Sequence, residues 1–364
     1  MDAEDSSLAH LLDQVNGARA ERAALEIRGG NTKRFYGEAA AGAPLDTAAL
    51  SGITSYEPTE LVVTARAGTR LAELEAVLEE KGQCLAFEPP RFGVSGTVGG
   101  MVAAGLSGPA RASAGSVRDH VLGMTVLTGR GEVLTFGGQV TKNVAGYDVS
   151  RLMVGSLGIL GLICEVSLKI LPISVATATL RFDWDEDHAL KQLRDWARHP
   201  LPISASAWHG GRLHVRLSGA RAAVSAACAK LGGERIEAAP AKRWWSGIRD
   251  QGDEFFLLDD AAASRGESLW RLSVPAISGP LELPGKQLIE WNGAQRWFRT
   301  AAEPELIREA AARASGHATL MRSADKSPGV FSPLSEVLMR VHQRLKVAFD
   351  PDRIFNPGRL YVGL

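Results

Sequence analysis

Apolar positions at three- and four-residue spacing, Leu8, Leu11, Leu12 and Val15, open the chain with one face of an amphipathic helix. A short strand at residues 24–27 follows and breaks into RGGNTK at residues 28–33. Residues 61–65 are a compact β-type run, and Thr69 is placed to cap a helix carrying Leu71, Leu74, Val77 and Leu78, which Gly82 ends. Residues 92–115 are thick with Gly, Ala and Ser and keep no steady period, so they read as mostly loop wrapped around a ligand. Residues 121–128 and 132–136 flank Gly129, Arg130 and Gly131, a hairpin in which glycine supplies positive φ. In residues 162–170, Leu162, Cys164, Val166, Leu168 and Ile170 alternate with Ile163, Glu165, Ser167 and Lys169, the pattern of a strand with one buried face. Pro172 closes a first domain, residues 1–172.

Residues 173–330 read as two successive βαββαβ units, one spanning 176–236 and the other 269–322. In the second, LWRLSV, a short helix, KQLIEW, AQRWFRT, the helix PELIREAAARA and HATLMR supply the pieces in order. Residues 333–349 predict a helix with Leu334, Val337, Leu338, Val341, Leu345 and Ala348 on one face, and residues 331–364 return to the first domain. The class is α+β.

With 364 residues, 45% of them hydrophobic, the chain can bury full cores in two domains. Forty-one Lys and Arg balance 41 Asp and Glu, so no net basic field exists to hold nucleic acid. The acidic start, MDAEDSSLAHLL, lacks the basic region of a secretory signal, which predicts a cytoplasmic protein with any membrane association coming through partners. The most apolar run, residues 152–163, holds three glycines and is too short for a transmembrane segment. Cys84, Cys164 and Cys228 lie far apart, with no CxxC for a metal or an iron–sulfur cluster. No metal site is expected.

Neither GxGxxG nor GxxxxGK[ST] is present, so phosphates would have to be held in another way. In RGGNTK a strand breaks into a glycine turn, whose successive N–H groups can form a concave nest for a pyrophosphate. Lys33 and Arg34 could add charge at its rim or sit on solvated surface. GVSGTVGGMVAAG strips side chains from a segment whose Val94, Val98, Met101, Val102 and Leu106 still want burial, which favours a ligand wall over a flexible linker. GYDVSRLMVGSLGILGLI repeats glycine at 155, 158 and 161, which suits either a ligand or tight backbone packing.

Taken in order, these segments identify a family. RGGNTK resembles the pyrophosphate loop of the vanillyl-alcohol oxidase, or PCMH-type, FAD-binding family, and GVSGTVGG is similar to its GTxGG segment. NVAGYDVSRLMVGSLGILGLICEVSLKILP resembles the family's GYDLxxLxxGSxGxLGIIxE stretch, and DPDRIFNPGRL its usual ending. Within the family the wording of RGGNTKRFYGE, GVSGTVGGMVAAGLSGPAR and TKNVAGYDVSRLMVGS is similar to the FAD-binding subunits of bacterial glycolate oxidases. The resemblance implies a PCMH-type domain of two α/β subdomains under a C-terminal ferredoxin-like cap. It places Gly29, Gly30, Asn31, Thr32 and Lys33 on the pyrophosphate, with Gly96, Thr97, Gly99, Gly100 and Ala103 continuing the wall. Asp119, Gly161 and Ile163 would approach the adenosine and flavin from the other side. It further implies oxidation of a small 2-hydroxy acid, glycolate, to glyoxylate, alongside a catalytic flavoprotein subunit and an iron–sulfur subunit that accepts the electrons.

Two departures qualify the implied chemistry. Members that link FAD covalently through this loop have a His where Thr32 stands, so FAD is expected to be non-covalent. Catalytic relatives carry a C-terminal HGxxGDGN or HGEHG-type cluster, and none is found here; His209, His214 and His317 read as surface or packing residues. No catalytic residue is assigned. A self-sufficient 2-hydroxy-acid dehydrogenase and a non-catalytic FAD-holding scaffold remain the alternatives. Trp244, Trp245, Trp270, Trp291 and Trp297 could line a substrate cavity or fill the core, and one of Arg212, Arg216, Arg271, Arg296 and Arg322 could clamp a carboxylate.

Overall fold

A computed structural model describes residues 3–138 and 147–364, without the side chains of residues 3–5. The start of the NVAGYDVSRL motif, residues 143–146, lies outside the described residues. The chain builds two sheets of different size. In chain order its first part carries β1 (Leu25–Arg28), β2 (Ala43–Asp46), β3 (Ile53–Glu57), β4 (Val62–Arg66), β5 (Gln83–Cys84), β6 (Val121–Leu127), β7 (Val133–Gly137), β8 (Leu162–Lys169) and β9 (Leu171–Pro172). β1 and β2 pair in parallel under the opening helix Ala3–Glu21, and β5 pairs with β9. The other five strands form an antiparallel sheet in the order β3-β4-β8-β6-β7.

β8 sits at the centre of that sheet, which overturns the expectation of a single buried face. Ile163, Val166 and Leu168 join one apolar cluster with Leu71, Leu74 and Leu78 of the helix Leu71–Glu80, while Leu162 and Cys164 join another with Leu11 and Val15. Ser167, a polar member of the alternation, is buried as well, its hydroxyl 2.9 Å from that of Thr64. Thr69 does not cap the neighbouring helix. Its hydroxyl bonds instead to the N–H and carbonyl of Gly52, and the helix enters through Arg70 without a side-chain cap.

The glycine-rich stretch also departs from the loop expected of it. Val98–Ala104 is a helix, begun by the Thr97 side chain accepting from Gly100 N–H and ended by Gly105 in the left-handed region at φ 63°. Two glycines in the first turn masked a pattern whose caps, Thr before and Gly after, were both readable. In the β6–β7 turn only Gly131 takes positive φ. Gly129 serves a different need, because a Cβ there would lie 2.3 Å from Asp350 Oδ1 in the chain's last segment.

The second part carries β10 (Ala176–Asp183), β11 (Ile203–His209), β12 (Arg212–Gly219), β13 (Glu234–Ile236), β14 (Ser268–Ser273), β15 (Lys286–Glu290), β16 (Gln295–Thr300) and β17 (His317–Arg322). With Glu186–Trp196 and Arg221–Leu231 the first four make a complete βαββαβ unit. The second unit lacks its first helix: Pro275, Pro280 and Pro284 lie among residues 274–285, which form no helix, and only Pro304–Arg313 is helical. β11 pairs with β15, so both units merge into one antiparallel sheet, β13-β10-β12-β11-β15-β16-β14-β17. Helices cover one side, packing Leu193, Val224 and Ile307 onto it. Phe255, Phe256, Leu269, Leu288, Trp297 and Met321 pack with Tyr36, Ala104 and Leu157 of the first part.

The last helix, Glu336–Phe349, starts three residues later than expected, with Ser335 as its cap. Of the face expected from the pattern, Leu345 docks, joined by two residues the pattern did not single out. Met339, Leu345 and Phe349 pack on the first part and Lys346 is fully buried, whereas Val337, Leu338 and Val341 are 60%, 49% and 46% exposed.

Candidate cofactor site

Four separate segments converge on one pocket. The turn after β1 brings Gly29, Gly30, Asn31, Thr32 and Lys33; the helix Val98–Ala104 and its cap bring Thr97, Gly99, Gly100 and Ala103; β8 and the residues before it bring Leu157, Gly158, Gly161 and Ile163; the C-terminal segment brings Asn356 and Arg359. Eleven of the residues named from sequence line it. Gly96 stands just behind, its carbonyl accepting from Leu71 N–H at 2.8 Å. Asp119 is a correction: it is exposed, and its carboxylate accepts from Ser116 N–H and Oγ, both at 2.8 Å, closing a capping box outside the pocket.

The glycines act mainly on one another's surroundings. A Cβ on Gly30 would fall 1.5 Å from Ser95 O, on Gly29 2.5 Å from Thr97 Oγ1, on Gly99 2.6 Å from Ala67 Cβ, and on Gly161 2.7 Å from Val126 Cγ1. The missing side chains thus let the two loops and the strand close upon each other, with Ser95 Oγ donating to Gly30 O at 2.8 Å. Gly100 differs. Its added Cβ would meet only Thr97 Oγ1, at 3.2 Å, and so would stand in the pocket itself.

What the pocket offers suits an anion flanked by flat apolar groups. Asn31 takes φ 57°, turning the loop, and the N–H groups of Gly30, Asn31, Thr32 and Lys33 donate to no backbone group among the described residues. Arg28 and Arg34 both pair with Glu26, which Arg28 holds below the usual carboxylate range. Arg359 is spent on the carbonyls of Arg34, Tyr36 and Glu38. Lys33 pairs with no carboxylate at salt-bridge distance among the described residues, and burial pulls its ammonium down to about 8. Ala67, Ala103, Ala104, Leu157 and Ile163 supply apolar wall. These residues fit a dinucleotide's pyrophosphate and rings.

Sequence reasoning missed the C-terminal contribution. Asn356 Oδ1 accepts from Ile27 N–H at 2.7 Å and its Nδ2 donates to Leu157 O at 2.6 Å, so one side chain bridges β1 to the third segment. Its signal was an Asn set between Phe355 and Pro357 in the IFNPGRL ending. The histidines lie elsewhere: His209 bonds Gln287 O and packs on Phe255, and His214 packs at a tilt against Trp244, burial lowering it to about 4. Trp245, Trp270, Trp291 and Trp297 are buried, each indole N–H bonded within the protein, as core residues. No three His, Cys, Asp or Glu among the described residues cluster to hold a metal.

Comparison with known proteins defines the class. The family model for an FAD binding domain matches residues 6–137. Alkyldihydroxyacetonephosphate synthase superposes with a TM-score of 0.67 at 16% identity, over 95% of this chain and 74% of that one, so the two share the PCMH-type α+β fold. This is an FAD-binding flavoprotein of an oxidoreductase family. It is 46% identical, over 97% of both chains, to the glycolate oxidase subunit GlcE of Escherichia coli strain K12, and it belongs to the family of that subunit. The glycolate oxidase subunit GlcD of Bacillus subtilis strain 168 is 31% identical over 131 residues, 36% of this chain and 28% of that protein.

Two outcomes follow for the pocket. Gly100→Val should lower FAD affinity at least about 10-fold while leaving far-UV circular dichroism unchanged, because the new side chain enters ligand space without striking backbone. Normal flavin content in that variant would remove this wall from the cofactor site. Second, Lys33 is protonated below about 8 in the free protein, and a bound pyrophosphate would raise it further. Binding then takes up a proton as pH climbs past 8, so FAD affinity should be flat below that pH and fall above it. Titrations at pH 6.5 to 9.5 on the wild type and Lys33→Met check this; an equal decline in the variant would contradict it.

Proposed function

We propose that the chain is the FAD-binding subunit of a glycolate oxidase complex that converts glycolate to glyoxylate, and that it depends on partners for turnover. One observation carries this reading: among the described residues the pocket that fits FAD offers no uncommitted carboxylate or imidazole to take the hydroxyl proton, and its Lys33 ammonium faces the pyrophosphate, which keeps it charged. Its lining includes no histidine, and its one carboxylate, Glu26, is committed to Arg28 and Arg34. Bound FAD supplies the acceptor for the hydride leaving the alcohol carbon. The chain's own part is to hold that acceptor: the N–H nest and Lys33 neutralise the pyrophosphate, and the apolar wall keeps water from the rings. Thr32 offers no imidazole to link the flavin, and neither His nor Cys lines the pocket, which supports non-covalent binding.

Electron removal points outward as well. Cys84, Cys164 and Cys228 are free thiols on separate elements and give no cluster ligand set, so an iron–sulfur subunit is the proposed acceptor and a second flavoprotein subunit the proposed catalytic partner. The similarity to GlcD, confined to 131 residues, fits a partner with the same FAD-binding half and a different remainder. Val337, Leu338 and Val341 on the last helix give such a subunit an apolar surface to cover. No described helix is long and apolar enough to cross a membrane.

Steady-state kinetics with glycolate and a dye acceptor test the proposal. The purified, FAD-replete chain should turn over at least about 10²-fold more slowly than the assembled complex, the usual loss when a general base is absent. Rapid turnover by the chain alone would make it a self-sufficient dehydrogenase, and a complex whose flavin in this chain stays oxidised with glycolate would make it a scaffold.

A further inference from the structure

A second cleft adjoins the cofactor pocket and shares Thr32 with it. Phe35, Arg91, Phe92, Asp250 and Arg322 bound this space of about 450 Å³, ample for a two- or three-carbon acid. Phe35 and Phe92 meet edge to face at 5.1 Å. The Arg322 guanidinium lies over both rings, 4.3 Å from Phe35 and 5.8 Å from Phe92, while the Lys33 ammonium stands 5.6 Å from the Phe92 centroid. Two cations therefore share one aromatic pair.

Lys33 feels the Asp250 carboxylate, but Arg322 has no counter-charge among the described residues. Among the described residues Arg322 makes one side-chain hydrogen bond, a 3.3 Å contact from Nη2 to Gln251 Oε1, and its buried Nε has no partner. The carboxylates within reach are already committed. Asp250 receives two bonds from Arg249 and one from Arg91 N–H, and Glu75 is paired with Arg91 at 2.6 Å. A half-buried guanidinium without a counter-charge is costly, and one held over aromatic rings keeps its remaining donors for an anionic ligand. β17 fixes its base, Arg322 pairing with Leu269 of β14.

We infer that this cleft binds a small monocarboxylate, with Arg322 as the residue that positions its carboxylate. The inference rests on the cofactor pocket being the FAD site, since the common wall at Thr32 is what brings the ligand beside the flavin. Phe35 and Phe92 supply an apolar wall beside the carboxylate. The acid's second carbon then lies toward the shared wall.

Difference spectra of the flavin and calorimetry, run together on the FAD-replete chain with glycolate, lactate and sulfate, test it. Glycolate should bind in both measurements and sulfate in neither. Arg322→Leu should weaken glycolate at least about 10-fold, the scale of one charge-assisted bond, while Arg322→Lys retains part of the affinity and the exposed Arg212→Leu behaves as wild type. A chain that takes up no FAD defeats the cofactor reading, and calorimetry still reports on the acid. Flavin present with glycolate silent in both measurements overturns the inference. So does sulfate binding as well as glycolate, or an Arg322→Lys variant that loses FAD rather than the acid.

Discussion

Lys346 and Asp350 are both completely buried, and the remainder of the cofactor site is hung on the contact between them. Lys346 Nζ reaches Asp350 Oδ2 at 2.8 Å and the carbonyls of Ile159 and Phe355 at 2.7 Å, so a single ammonium ties the last helix, the tail and the segment before β8. Asp350 answers by accepting from the N–H groups of Ile354 and Phe355 at 3.1 and 2.8 Å. Burial opposes the charge on Lys346 and Asp350 supports it. Such a pair adds little net stability over an apolar one, yet losing either member leaves a buried charge alone at a cost of about 3–5 kcal/mol.

From that anchor the tail runs beside β1, with Leu25 N–H donating to Ile354 O and Asn356 N–H donating to Leu25 O. This placement sets Asn356 between Ile27 and Leu157 and lets Arg359 clamp the carbonyls of residues 34, 36 and 38. The nucleotide-facing turn, Gly29 to Lys33, is therefore bracketed by a strand on one side and a clamped loop on the other. Among the described residues its N–H groups from Gly30 to Lys33 donate to no backbone group. A turn held open in this way loses little entropy when an anion arrives.

Much of this was legible beforehand because glycine and alternation leave direct marks. RGGNTK, GTVGG and the glycines before β8 named eleven pocket residues, and the complete first βαββαβ unit showed its periods plainly. What escaped depended on partners distant in sequence. β8 concealed its second buried face because its alternation is real but Ser167, read as solvent-facing, is buried against Thr64. Asp119 is chosen by a local cap, which a motif cannot distinguish from a ligand contact. Gly99 lines the pocket but is also required by Ala67, and Gly129 by Asp350, residues that no window around them contains. The last helix misled for the opposite reason: its strongest apolar stripe is the face left to solvent, and a lysine marks the docked one.

The dependence of the flavin site on the buried pair is most directly tested by Lys346→Met, which keeps the side chain's bulk and removes its charge. FAD affinity, followed by flavin fluorescence on the purified variant, should fall at least about 10-fold, or roughly 1.4 kcal/mol, with the far-UV spectrum retained. An affinity equal to wild type would show that the cradle stands without the tail's anchor and would contradict the account.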